Sequence, residues 1–153
     1  MISIQHGDVL NIEQGIIVHG CNCNGVMGAG IALQIKNRFP AAFESYSKKY
    51  QTRGLFLGEI TVAQINPSKI IVNANTQQNT GANKRQVNYE AIAECFEKVL
   101  LLANETKEYT GERLDIVFPM IGAGLGGGNW NIIESIIDET IPDEFNKILY
   151  KFP

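Results

Sequence analysis

His19-Gly-Cys-Asn-Cys-Asn-Gly-Val-Met-Gly-Ala-Gly-Ile31-Ala32 is a polar, glycine-rich stretch set between an apolar strand and an amphipathic helix. Four of its first twelve residues are glycine, at positions 20, 25, 28 and 30, so the backbone can turn sharply and approach a bound group closely. Upstream, Ile16-Ile17-Val18 is an apolar strand fragment that delivers His19 to the head of the loop. Downstream, Ile31, Ala32, Ile35 and Phe39 recur at helical spacing until Pro40. The free N–H groups of that helix's first turn, with the positive end of its dipole, make a seat for an anion. A phosphate-bearing ligand is the expectation.

Outward from this loop the chain alternates strands with helices. Met1 to Gln5 alternates as a strand and turns at Gly7-Asp8; Pro40 opens a second helix with Ala42, Phe43, Tyr46 and Tyr50 on its apolar face. Strands are expected at Glu59 to Ala63 and Lys69 to Ala74, followed by a long polar loop from Asn75 to Arg85 that contains no acidic residue and ends in Lys84 and Arg85. Asn88 is expected to cap the longest helix, with Tyr89, Ile92, Phe96, Val99 and Ala103 on one face and a polar turn from Asn104 to Glu112. Leu114 to Met120 reads as a central strand, Trp130 to Ile137 as a helix broken by Pro142, and Lys147 to Phe152 as a closing strand. Strands alternating with helices give an α/β sandwich.

A second glycine loop, Ile121-Gly-Ala-Gly-Leu-Gly-Gly-Gly-Asn-Trp130, follows the central strand and holds five glycines between 122 and 128. Nine of the fifteen glycines thus sit in two strand-to-helix loops, a concentration that turn-making alone does not require. There is no G-x-x-x-x-G-K-[ST] segment, and Gly122, Gly124 and Gly127 meet G-x-G-x-x-G without its downstream ribose acid. Two loops facing each other across a pyrophosphate, each offering backbone N–H groups, is the expected arrangement.

The 153 residues fit a single domain, residues 1–153, with no apolar run long enough to span a membrane and no charged-then-apolar leader. Three cysteines, two of them at 21 and 23, favour a reducing compartment, and a cytoplasmic location is expected. A formal net charge of −3 argues against long nucleic acid as a partner. His19, Cys21 and Cys23 alternate along an extended segment, which does not suit a metal site, and neither cysteine has a visible activating base. Asp8 reads as a turn cap or as a carboxylate accepting an amine from a ligand. His19 reads as a hydrogen-bonded packing residue or as a proton-transfer group at the mouth of a phosphate site.

The first loop, with Gly7-Asp8-Val9 upstream and Pro119-Met-Ile-Gly-Ala-Gly-Leu-Gly-Gly-Gly-Asn-Trp130 downstream, resembles the macro domain family over nearly the whole chain. Within the family it looks most like the ADP-ribose 1''-phosphate phosphatase branch. The resemblance implies a three-layer α/β/α sandwich with a mixed sheet of about six strands. It implies hydrolysis of ADP-ribose 1''-phosphate to ADP-ribose and phosphate, with a small-molecule partner; nothing visible in the sequence requires a metal, and no cofactor is expected. The expected state is a monomer. By carry-over, Asp8 receives the adenine amino group with Val9 offering a backbone N–H beside it. Tyr150 and Phe152 neighbour the adenine. Asn22 holds the distal ribose and joins His19 in the catalytic pair, with Asn24 on the same loop. Gly28, Ala29, Gly30 and Ile31 face Gly122, Ala123, Gly124, Leu125 and Gly126 across the diphosphate, and His19 acts on the terminal phosphate. Two departures count against the lysine-dependent release of ADP-ribose from acidic side chains: the matching places hold Gln77 or a near neighbour, and Gly126. A binding module without turnover, and a hydrolase of ADP-ribosylated protein or nucleic acid, are the alternatives.

Overall fold

The computed structural model describes residues 1–80, 86–123 and 126–152. The expectations for Lys84, Arg85, Gly124 and Leu125 lie outside these residues. In chain order the elements are β1 (Ile2–His6), a 3₁₀ turn (Val9–Asn11), β2 (Gly15–Cys21), α1 (Gly30–Arg38), α2 (Pro40–Arg53), β3 (Ile60–Asn66), β4 (Lys69–Asn75), α3 (Tyr89–Thr110), β5 (Ile116–Phe118), α4 (Trp130–Thr140) and β6 (Lys147–Lys151). The strands form one mixed sheet in the order β1-β6-β5-β2-β4-β3, parallel except for β3 against β4.

Parallel strands need cover on both faces, and the alternation of side chains along β2 and β5 divides the core accordingly. Ile16, Val18, Ile116 and Phe118 point to the side of α3 and α4, where they meet Ile92, Phe96, Val99, Ile133 and Ile137. Ile17 and Val117 point to the other side, against Ile35 of α1 and Ala42 of α2. The result is the three-layer sandwich, with Phe96 and Phe118 edge to face at 6.0 Å in its thicker half. Each such fully buried large apolar side chain contributes about 1.5–3 kcal/mol, enough to hold helices whose own propensity is modest.

Asn88 caps α3 as expected, its side chain accepting from Ala91 N at 2.9 Å. The expected turn at Asn104 to Glu112 is corrected: α3 runs on to Thr110. Its last turns are polar and hold no buried residue after Ala103, and Gly111, with φ at +80°, ends them. The central strand is also shorter than Leu114 to Met120, and Pro119 to Ile121 turn out of it toward the second glycine loop. Among the described residues no helix is long and apolar enough to cross a membrane.

The strand order places the site. β2 and β5 are hydrogen-bonded neighbours, yet β2 leads to α1 on one face and β5 to α4 on the other. The two connections therefore part, and a crevice opens between them beyond the carboxyl ends of the strands.

Candidate functional site

Two adjoining cavities occupy that crevice. The inner one, about 570 Å³, has walls from the end of β2 (Gly20, Cys21, Asn22), the start of α1 (Gly28 to Ala32), the loop after β4 (Thr76, Gln77, Thr80) and the loop after β5 (Pro119 to Gly122, and Gly126). The outer one, about 470 Å³, lies over Gly7, Asp8, Val9, Gln34, Tyr150 and Phe152. Ile31, Pro119 and Met120 belong to both linings, so the two lie side by side along the crevice.

The inner wall is built around an uncapped helix end. Ala29 stands at the N-cap of α1 and offers no side-chain oxygen, whereas α3 and α4 are capped by Asn88 and Asn129. The first N–H groups of α1 are thus left to whatever fills the cavity, at the positive end of the helix dipole. The loop before it is held by Asn22, whose Oδ1 accepts from Asn24 N at 2.9 Å and from the Tyr46 hydroxyl at 2.8 Å, while its Nδ2 donates to Val26 O at 2.8 Å. Asn22 lines the cavity, but its side chain is engaged by its own loop. Tyr46 is buried beneath it and burial pushes its phenol up, so the brace stays protonated. Nothing in the sequence marked Tyr46 for this task beyond its place on an apolar helix face.

The opposite wall turns on Gly122, where φ is +71° and a Cβ would come within 2.6 Å of Val87 Cγ2. Gly128 N donates to Gly122 O at 2.7 Å and closes the turn, and Gly126 O accepts from Gln86 N at 2.7 Å, tying the loop to the segment before α3. Of the remaining expected residues, Gly28, Ala29, Gly30, Ile31 and Gly126 line the inner cavity, and Asp8, Val9 and Tyr150 the outer one. Asn24 and Ala123 lie in the flanking turns, outside either lining. Met120 and Gln34 were not anticipated; Thr76 was not singled out, but it lies just past a parallel strand in the polar loop without acidic residues, whose composition suits a negative ligand.

Asp8 is the turn cap of its first reading. One carboxylate oxygen caps the 3₁₀ turn by accepting from Leu10 N at 2.9 Å, and the other accepts from Arg38 Nη1 at 3.1 Å. The carboxylate nevertheless remains in the outer wall with lone pairs to spare, and Arg38 offsets its charge next to a site suited to anions.

His19 is the main correction. β2 continues to Cys21, so His19 follows Ile17 to the α2 face while Gly20 faces the cavity. The imidazole is fully buried and Nε2 lies 2.6 Å from Asn73 Oδ1. Asn73 Nδ2 already donates to Ala42 O and Thr61 Oγ1, both at 2.9 Å, so its oxygen must accept and His19 carries its proton on Nε2. Burial lowers the His19 pKa to about 4 against the partial support of Asn73, leaving a neutral ring at physiological pH. It lines neither cavity and is uncharged, so the structure does not place it at the mouth of a phosphate site as the sequence led one to expect. Cys21 and Cys23 are buried thiols pushed up by desolvation, Cys23 to about 11. Among the described residues no three His, Cys, Asp or Glu side chains gather to hold a metal.

Comparison with known proteins agrees with this architecture. The macro domain family model matches residues 18–137. An uncharacterised 17.5 kDa protein of enterobacteria phage T4 is 36% identical over 140 residues, spanning 86% of this chain and 84% of its own. A DNA ADP-ribosyl glycohydrolase of Mycobacterium tuberculosis is 30% identical over 137 residues, 88% of this chain but only 37% of that protein's length. An ADP-ribose 1''-phosphate phosphatase of Candida albicans is 26% identical over 134 residues, covering 86% and 85%. Among solved structures, the macrodomain of Mycobacterium tuberculosis DarG superposes with a TM-score of 0.80 at 25% identity, covering 98% of this chain and 97% of that one.

Proposed function

The chain belongs to the macro domain family, and from that premise we propose that it binds ADP-ribose in the two-lobed cleft and hydrolyses ADP-ribose 1''-phosphate there to ADP-ribose and phosphate. The observation that carries this reading is the adjacency of the two cavities, which share Ile31, Pro119 and Met120 and lie between two glycine turns. A dinucleotide-like ligand has an aromatic base at one end and a sugar at the other, joined by a diphosphate. The outer lobe offers the base a carboxylate at Asp8 and aromatic surface at Tyr150 and Phe152. Where the inner lobe meets the outer one, it offers the diphosphate the uncapped N–H groups of α1 and the turn at Gly122. The inner lobe takes the distal ribose and its terminal phosphate.

In the proposed reaction water attacks phosphorus, the bond to the 1'' oxygen breaks, and that oxygen is protonated as ADP-ribose leaves. With His19 buried and neutral, the described cleft contributes by orienting the ester and by aiming backbone N–H groups at the charge on phosphorus-bound oxygens. The proton for the departing oxygen then comes from water. The Candida albicans phosphatase, matched along most of both chains, supports this choice of ester.

A second reading, removal of ADP-ribose from DNA, is favoured by the higher identity to the mycobacterial glycohydrolase. The net charge of −3 and Gln77 in the cavity wall weigh against it. The test is calorimetric titration with ADP-ribose, followed by phosphate release from ADP-ribose 1''-phosphate and release of ADP-ribose from ADP-ribosylated DNA. Binding with phosphate release is expected. Binding with release from DNA alone selects the second reading, and absence of binding defeats both.

A further inference from the structure

We propose that the Thr76 hydroxyl bonds to an oxygen at the distal ribose end of the ligand, making Thr76 the residue by which the cleft distinguishes ADP-ribose from ADP. The inference rests on the ADP-ribose reading above. Thr76 is 1% exposed, and its Oγ1 is a buried oxygen with no hydrogen-bond partner among the described residues. Leaving a hydroxyl buried and unpaired is costly, so the position implies an oxygen or nitrogen partner supplied from elsewhere.

The surroundings say where that partner sits. Thr76 lines the inner lobe and has no part in the outer one. A Cβ built on Gly20 would lie 2.9 Å from Thr76 Oγ1 and 3.1 Å from Ile121 Cγ2, so the hydroxyl lies against the backbone of Gly20, and all three residues line the inner lobe. Asn75 Oδ1 is likewise buried and unpartnered, but Asn75 lies outside both linings. The Thr76 backbone is held on two sides: its N–H donates to Cys21 O at 3.1 Å and its carbonyl accepts from Asn88 N at 2.7 Å, at the capped start of α3. The hydroxyl is therefore presented from a rigid support. A hydroxyl both donates and accepts, which suits a ribose hydroxyl or the oxygen of a 1'' substituent.

The experiment compares ADP-ribose with ADP, which lacks the distal ribose, by titration calorimetry on wild type, Thr76→Val and Thr76→Ser. Loss of one such bond is expected to weaken ADP-ribose about three- to tenfold in Thr76→Val. ADP affinity should stay at the wild-type value, and Thr76→Ser should keep both. Unchanged affinity for both ligands in Thr76→Val overturns the inference, as does an equal loss for both. Should Thr76→Val fail to fold, threonine-methyl spectra of the wild type decide: a Thr76 shift with ADP-ribose and none with ADP supports it, and any other pattern overturns it. A wild type that binds neither ligand defeats the parent reading itself and this one with it.

Discussion

Acidification should expose His19 as a structural residue. Its folded pKa of about 4 lies below the ordinary imidazole value of about 6.5, so the fold favours the neutral ring. Above pH 6.5 the ring is neutral folded or unfolded and exacts no penalty. As the pH falls from about 6.5 toward about 4, the unfolded chain takes up a proton that the folded chain refuses, and stability is lost across that window. A depression of this size amounts to about 3 kcal/mol at its limit, a large part of the 5–15 kcal/mol that holds a typical domain. His19→Gln keeps a donor for Asn73 Oδ1 but cannot titrate. Urea unfolding of both proteins at closely spaced pH values therefore isolates the term, because carboxylates such as Asp143 are common to both and cancel. The stability of wild type minus variant should be level above pH 7, decline through the window and level off below pH 4. His19→Gln should also leave ADP-ribose affinity and phosphate release unchanged at neutral pH. A flat difference curve, or a His19 resonance titrating near 6.5, would refute the burial argument; loss of turnover with binding intact would return His19 to the chemistry.

The thiols should be inert in the native protein: with Cys23 raised to about 11, Cys95 to about 12 and all three buried, a thiol-specific disulfide reagent at pH 8 should label none until guanidinium unfolds the chain. Gly122→Ala forces a side chain into positive φ and against Val87, which should cost about 1–3 kcal/mol in urea unfolding and weaken ADP-ribose, since the turn forms a cavity wall. Lys147 is 1% exposed and donates to Ile141 O at 2.6 Å, Asp138 Oδ1 at 2.8 Å and Asp143 Oδ1 at 2.9 Å. Lys147→Met leaves a buried carbonyl unpaired and should cost about 1–3 kcal/mol without altering ligand affinity, because β6 begins at the end of the sheet opposite the cleft.

Local chemistry made much of this legible. The change from apolar run to glycine loop to helical spacing between Ile16 and Phe39 set out β2, the loop and α1, and the Asn88 cap is a contact within a few residues of chain. Glycine crowding at 20–30 and 122–128 marked both walls of the cleft, because a backbone that must approach a ligand or bend to positive φ excludes side chains whatever the rest of the fold does. The reach of α3 was missed because its last turns bury no residue after Ala103 and bear no apolar pattern.

What the sequence by itself determined is therefore the succession of elements and the two glycine loops. Only the tertiary structure decided that β2 lies between β5 and β4, and from this come the crevice, the pairing of His19 with Asn73 and the place of Thr76 beneath Gly20. The physical reason is that a strand buried on both faces carries no alternation to say which way a side chain points. Ile16, Ile17 and Val18 read alike, so whether His19 or Gly20 meets the ligand is set by which helices cover each face, through contacts distant in the chain.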